Sequence, residues 1–263
     1  MIRVLALAAL LLAGCASLDR PRSELAPSGK LRAAINLGNP VLASRGAGGE
    51  PQGVSVDLAR ELARRLGIPV ELVPFDSAGK TVEAGKAGLW DIAFVALDPA
   101  RAAEIAQSPP YVIIEGAYLV REGSPLRSNA EVDRPGNRIV VGRGSAYDLF
   151  LTRHVKQARL ERVPTSGEVV SAFMQRGLEV AAGVKQQLEM DAKKTPGVRL
   201  LPGRFMVINQ AMASQRGKEA GARFVRDFIE DAKASGFVAR SLERHGIQGA
   251  SVAPAGDAPG DAQ

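Results

Sequence analysis

The chain has 263 residues, 46% hydrophobic and 24% charged, with a net charge of +6, two histidines and one cysteine. That balance suits a globular protein of one or two domains, and it excludes an intramolecular disulfide and argues against a structural zinc or histidine-based metal centre. The 34 Lys and Arg are interspersed with 28 acidic residues and aromatics are only 5%, so a basic, base-stacking nucleic-acid surface is not indicated, and the excess charge fits anionic headgroups or a small anionic ligand better.

At the N-terminus, Arg3 precedes the apolar run Val4–Ala13, and Leu12-Ala13-Gly14-Cys15 closes it. A basic residue, a short apolar stretch and small residues at its end form the layout of a secretory signal, and the run falls well short of the roughly 20 residues a membrane span needs. The pattern resembles a bacterial lipobox, which implies a signal peptide over 1–14, lipid on Cys15 and a cell-envelope location. Residues 15–29, rich in Ser, Pro, Arg and Ala, read as a lipid tether. Residues 250–263 are mostly Ala, Pro, Gly and Asp, a composition that predicts a disordered tail.

Between these ends, strand and helix patterns alternate. Leu31–Leu37 reads as a strand. Val54–Leu66 carries Leu58, Leu62 and Leu66 four apart, which favours a helix, and Gly67 and Pro69 end it. A strand over Val70–Phe75, a helix over Gly79–Leu89 and a strand over Asp91–Leu97 follow. Tyr111–Val120 is a long extended segment. Further strands are expected at Arg138–Gly142, Leu160–Val163, Val180–Val184, Val198–Leu201 and Phe205–Met212. Helices are expected at Ala146–Lys156, Glu168–Arg176, Gln186–Lys194, Lys218–Ala234 and Val238–Arg244. This alternation predicts an α/β architecture with mostly parallel sheets.

Several local signatures then coincide in order: Gly53-Val54-Ser55-Val56-Asp57-Leu58-Ala59, Gly85-Lys86 before Asp91-Ile92, Asp98-Pro99-Ala100-Arg101, Ser108-Pro109-Pro110-Tyr111, Gly142-Arg143-Gly144-Ser145, and the stretch from Gly177 to Lys185. Over about Leu31–Gly249 the chain resembles the bacterial extracellular solute-binding proteins of family 3, which include polar amino-acid receptors of ABC importers. The resemblance implies a two-lobed type II periplasmic binding protein fold, with two mixed, mostly parallel sheets flanked by helices and joined by two hinge strands. One lobe would hold residues 30–111 and 209–249, the other 112–208. A ligand would sit in the cleft, and closure would present the complex to an inner-membrane permease. A monomer without catalytic residues or cofactor is expected.

Within that resemblance, Arg101 occupies the place where an arginine grips a ligand carboxylate, a task for which a guanidinium fork is well shaped; pairing with Glu104 is the alternative. Asp98 stands where Thr or Ser is common. Gly144 and Ser145 open a helix whose N–H groups and hydroxyl suit an anion, though Ser145 also reads as a plain helix cap. Lys185 replaces the acidic residue that faces an α-ammonium group, and a cation there repels an ammonium; a solvated helix-start lysine is the alternative. Trp90 is a candidate cleft residue or core. Asn39-Pro40-Val41-Leu42 lacks the aromatic that stacks on amino-acid ligands. These departures point to a small organic anion held between Arg101 and Lys185. Enzyme signals are fragmentary: Ser77-Ala78-Gly79-Lys80 lacks its companion motifs, and Gly79-Lys80-Thr81 has Pro74 where a P-loop needs glycine. A ligand-sensing or partner-binding lipoprotein is the alternative function, and a dehydratase-type enzyme on the same fold a weaker one.

Overall fold

The computed structural model describes residues 18–256; the signal-like run, Cys15 and residues 257–263 lie outside the described residues. Strand β1 (Leu31–Asn36) pairs in parallel with β4 (Val70–Phe75) and β5 (Ile92–Ala96). All five residues of β5 are buried, as expected of a strand covered on both faces. Between β1 and β4 a small hairpin of β2 (Ser44–Arg45) and β3 (Pro51–Gln52) precedes helix α2 (Val54–Leu66), which buries Leu58, Leu62 and Leu66 and ends at Gly67 in the left-handed conformation, φ 63°. Helix α3 (Ala78–Lys86) follows β4. The Ser-x-x-Lys match is its cap, because the Ser77 hydroxyl accepts from the Lys80 N–H at 3.2 Å.

After β5 comes the short helix α4 (Pro99–Ala102) and then β6, a 17-residue strand from Ile105 to Arg121. Strand β7 (Arg138–Gly142), helix α5 (Ala146–His154), β8 (Arg159–Val163), α6 (Val169–Gln175), β9 (Val180–Val184), α7 (Lys185–Lys194) and β10 (Val198–Leu200) form the second half of the molecule. Strand β11 (Met206–Gln215) returns to the first half, where α8 (Glu219–Ala234) and α9 (Phe237–Arg244) pack. The elements thus follow the predicted order, and the fold is the mixed α/β one expected.

The strands form one continuous ladder, β4-β1-β5-β11-β6-β9-β7-β8, in which β6 and β11 are the crossing strands that join the two halves, as expected. It is less parallel than predicted, because β11 runs antiparallel to both β5 and β6, and β6 antiparallel to β9. The cause is the length of β6, which serves the first half through its early residues and the second half through its late ones. The core nevertheless divides. Leu31, Leu62, Phe94, Tyr111 and Ile229 belong to one apolar cluster, whereas Leu119, Val140 and Phe173, and Tyr118, Ile139 and Leu151, form two others.

Both supposed loose ends also carry structure. Residues 18–25 form a helix, α1, inside the segment read as a tether. Leu25 is buried, the Arg22 Nε donates to the Leu66 carbonyl at 2.7 Å, and Glu24 accepts from the Gly221 N–H at 2.9 Å. At the other end, Ser251–Val252 pairs with Ile113 and Val112 of β6 as strand β12, and Ala253 is buried. Composition misjudged both segments because one leucine and one short strand suffice to dock them on a preformed surface. Among the described residues no helix is long and apolar enough to cross a membrane.

Candidate functional site

The two halves meet where α4, which leaves β5, faces the turn between β7 and α5. Asp98 caps α4 by accepting from the Ala100 N–H at 2.9 Å, which sets the helix so that Arg101 points inward. Arg101 is only 3% exposed. Its guanidinium donates to the Ala96 carbonyl at 2.9 Å and, across to the second half, to the Gly144 carbonyl at 2.8 Å. Burial brings its pKa down to about 10 while the nearby Asp98 works in the opposite direction, so the group stays a cation at neutral pH.

Gly144 supplies the opposing surface. It holds a left-handed backbone, φ 69°, and a Cβ placed on it would lie 2.8 Å from the Cα of Gly79 at the start of α3. Glycine at 144 lets the backbones touch, and a Cβ on Gly79 would also be tight, 3.1 Å from the Arg143 carbonyl. The Gly144 N–H donates to the Asp148 carboxylate at 2.8 Å, and the Ser145 hydroxyl caps α5 by accepting from the Asp148 N–H at 3.0 Å. The capping role considered for Ser145 is therefore present, and Ser145 also lines the cavity described next.

Between the halves lies a cavity of about 30 Å³ bounded by Asn39, Arg101, Ser145, Tyr147, Ser166 and Gln210, with Asn36, Gly38, Ala78, Ala96, Ala146, Val184 and Ile208 completing the wall. That is the room of about one water molecule, so any metabolite must enter with the halves further apart. No carboxylate is among the lining residues. Arg101 is their one formal charge. A wider groove of about 410 Å³, lined by Pro40, Arg45, Asp76, Thr165 and Gln187, opens beside it and shares Gly38.

Three of the expected site residues are placed elsewhere. Trp90 is fully buried; its indole N–H donates to the Thr81 carbonyl at 2.7 Å and the ring packs against Gly85, which makes it core. Lys185 does not line the cavity: its ammonium pairs with Glu115 at 3.0 Å, and Glu115 also accepts from Arg204 at 2.6 Å. These two cations, Arg204 foremost, hold the Glu115 carboxyl below its ordinary range. Asp98 does not line the cavity either. It forms a two-pronged ion pair with Arg153 of α5, at 2.8 and 3.2 Å, and so ties the two halves together. The Arg101–Glu104 pairing weighed above is not formed; Glu104 instead meets Lys86 at 3.1 Å.

The sequence pattern does not single out Arg153, Asn39 or Gln210. Gln210 had a readable signal, a polar residue inside the extended run from Phe205 to Met212. Arg153, one of several surface-like arginines, had none. Among residues assigned no ligand role, Asp57 accepts from Ser241 and Arg244 of α9 and from the capping His245 that follows, at 2.6, 3.0 and 3.0 Å, and joins α2 to that helix.

Comparison with known proteins bears on the fold. A mutant of ArgBP from T. maritima superposes with a TM-score of 0.75 at 18% identity, covering 87% of this chain and 100% of that one. A solute receptor for L-cysteine of Neisseria gonorrhoeae gives 0.74 at 23% identity, with 84% and 91% covered. An ancestral amino-acid-binding protein, described as a precursor of cyclohexadienyl dehydratase, gives 0.71 at 19%, with 84% and 97% covered. At such identities the likeness establishes the fold, that of type II periplasmic binding proteins. A curated relative, the membrane-bound lytic murein transglycosylase F of Idiomarina loihiensis, is 34% identical over 102 residues, 38% of this chain and 22% of the relative, so the chain spans about a fifth of that protein's length. The model of the bacterial extracellular solute-binding proteins, family 3, matches residues 31–248, most of the chain, and the chain belongs to that family.

Proposed function

We propose that this protein is a monomeric, lipid-anchored receptor of an ABC-type importer that captures a small organic anion between its halves, without catalysis. Membership of the solute-binding family supports the receptor role and an extracytoplasmic location. The observation that carries the choice of anion is the buried cation Arg101 in a cavity wall that holds no carboxylate. A carboxylate entering there gains charge-assisted, two-pronged hydrogen bonds. An α-ammonium group entering with it finds no opposite charge, and desolvating it unpaired is costly.

In this reading the Gly144 carbonyl is what Arg101 binds when the halves close directly on each other, and a ligand carboxylate replaces it. Lys185, paired with Glu115, is left out of the ligand shell. The lipid anchor on Cys15 rests on the lipobox-like sequence alone. A second reading, a sensing or partner-binding envelope protein, draws on the segment shared with a murein transglycosylase; recovery of a permease and ATPase with the purified protein from its host separates the two.

Calorimetric titration of the purified protein with panels of small carboxylates and of α-amino acids tests the ligand class. At least one carboxylate is expected to bind in the micromolar range or tighter, and Arg101→Gln is expected to weaken it by about 100-fold, the scale of two charge-assisted hydrogen bonds. Tight binding of an ordinary α-amino acid defeats the anion assignment.

A further inference from the structure

Asn39 sits in the same cavity wall as Arg101. It is 7% exposed, and its Oδ1 is buried without a hydrogen-bond partner. Several of its neighbours in the wall are engaged: the Ser145 hydroxyl accepts from Asp148, the Tyr147 hydroxyl donates to Ser166 at 2.8 Å, and Arg101 donates to two carbonyls. A buried acceptor with nothing to accept from is rare in folded proteins and costs stability.

The backbone explains why Asn39 does not relieve this by moving. Its own carbonyl accepts from both Leu42 and Ala43 at 3.0 Å, and its N–H reaches the Asn36 carbonyl at 3.4 Å. The preceding turn is held by Gly38 donating to the Asn36 side chain at 3.0 Å, and a Cβ on Gly38 would fall 2.5 Å from the Asp76 carbonyl. The side chain is short and its main chain is fixed on both sides. The unpartnered acceptor is therefore built into the wall that Arg101 shares.

We infer that Asn39 is the specificity-determining residue of the site and that the ligand is a small hydroxycarboxylate. Its carboxylate faces Arg101, and its hydroxyl donates to the Asn39 Oδ1. Two residues of the cavity wall thus ask for different chemistry: a donor fork at Arg101 selects an anion, and a neutral acceptor at Asn39 selects a neutral donor. A hydroxyl meets that demand without needing the counter-charge that an ammonium requires. A plain alkanoate leaves the acceptor unpaired, and a site built to bond a ligand hydroxyl rejects the analogue lacking it. This inference rests on the anion reading above and narrows it.

Calorimetry with matched pairs tests it: glycolate against acetate, lactate against propionate, and malate against succinate, each on the full chain and on Asn39→Ala. The expected result is that the hydroxylated member of at least one pair binds 10-fold or more tighter, and that the ratio falls to within about 2-fold in Asn39→Ala. Because the Asn39 side chain makes no hydrogen bond in the protein, Asn39→Ala is expected to melt no lower than the parent, and Asn39→Ser provides a second variant with a smaller change of volume. Equal affinities within every pair, or a ratio that survives in Asn39→Ala, overturn this inference and leave the anion reading standing. Absence of binding by every carboxylate overturns both.

Discussion

At the scale of single residues, the site turns on how buried charge is compensated. Arg101 has two carbonyl partners and a carboxylate nearby, which is enough to keep a guanidinium ionised in the interior but leaves it without an ion pair of its own. Lys185 shows the opposite arrangement, its charge matched by Glu115 on the crossing strand. Truncation of Lys185 is accordingly expected to change ligand affinity by less than about 5-fold, since a partly exposed pair contributes under about 1 kcal/mol; calorimetry on Lys185→Ala checks it, and a loss comparable to that of Arg101→Gln brings Lys185 back into the ligand shell. The contrast shows what a sequence can disclose. Arg101, Gly144 and Ser145 sit in turns whose geometry is set within a few residues, by a proline-containing cap in one case and a Gly-Ser strand-to-helix junction in the other. The direction of Lys185 is decided by Glu115, 70 positions away, and that of Trp90 by the carbonyl of Thr81. No local pattern encodes either choice.

At the scale of elements, the junction of α4 with α5 works as a catch between the halves. Asp98 is bound twice over, by the Ala100 N–H of its own helix and by both arms of Arg153 from the other side. Its side chain is 4% exposed, so the pair is shielded on the carboxylate side and open on the arginine side, which is 41% exposed. On the proposed reading the halves part to admit a ligand, and this pair, which spans them, would then break. Arg153→Gln is accordingly expected to favour separated halves and to weaken ligand binding by about 3- to 10-fold, chiefly through faster release, by removing a contact that ties the halves together. Stopped-flow release rates together with small-angle scattering check this. An unchanged release rate would show that Asp98–Arg153 merely decorates the closed state. The backbone contact of Gly79 with Gly144 belongs to the same junction, and explains why a glycine appears at the second position of α3, where helix propensity alone disfavours it.

At the scale of the whole molecule, the segments at both ends of the described residues belong to its folded body. Composition describes residues 15–29 as a flexible leash, yet α1 is fastened to the C-terminus of α2 through Arg22 and to the start of α8 through Glu24, whose carboxyl is held below its usual range chiefly by the Gly221 N–H. Leu25 packs against Gly221, where a Cβ would lie 2.9 Å from its methyl carbon. The docking of α1 is testable. If 18–25 is an integral part of the first half, Leu25→Ala creates a cavity in its core and lowers the unfolding free energy by about 2–4 kcal/mol, read as an earlier denaturant midpoint at unchanged slope. If the segment is a leash, the same substitution leaves the midpoint where it was. That outcome would detach α1 from the fold and restore the flexible anchor that composition predicts.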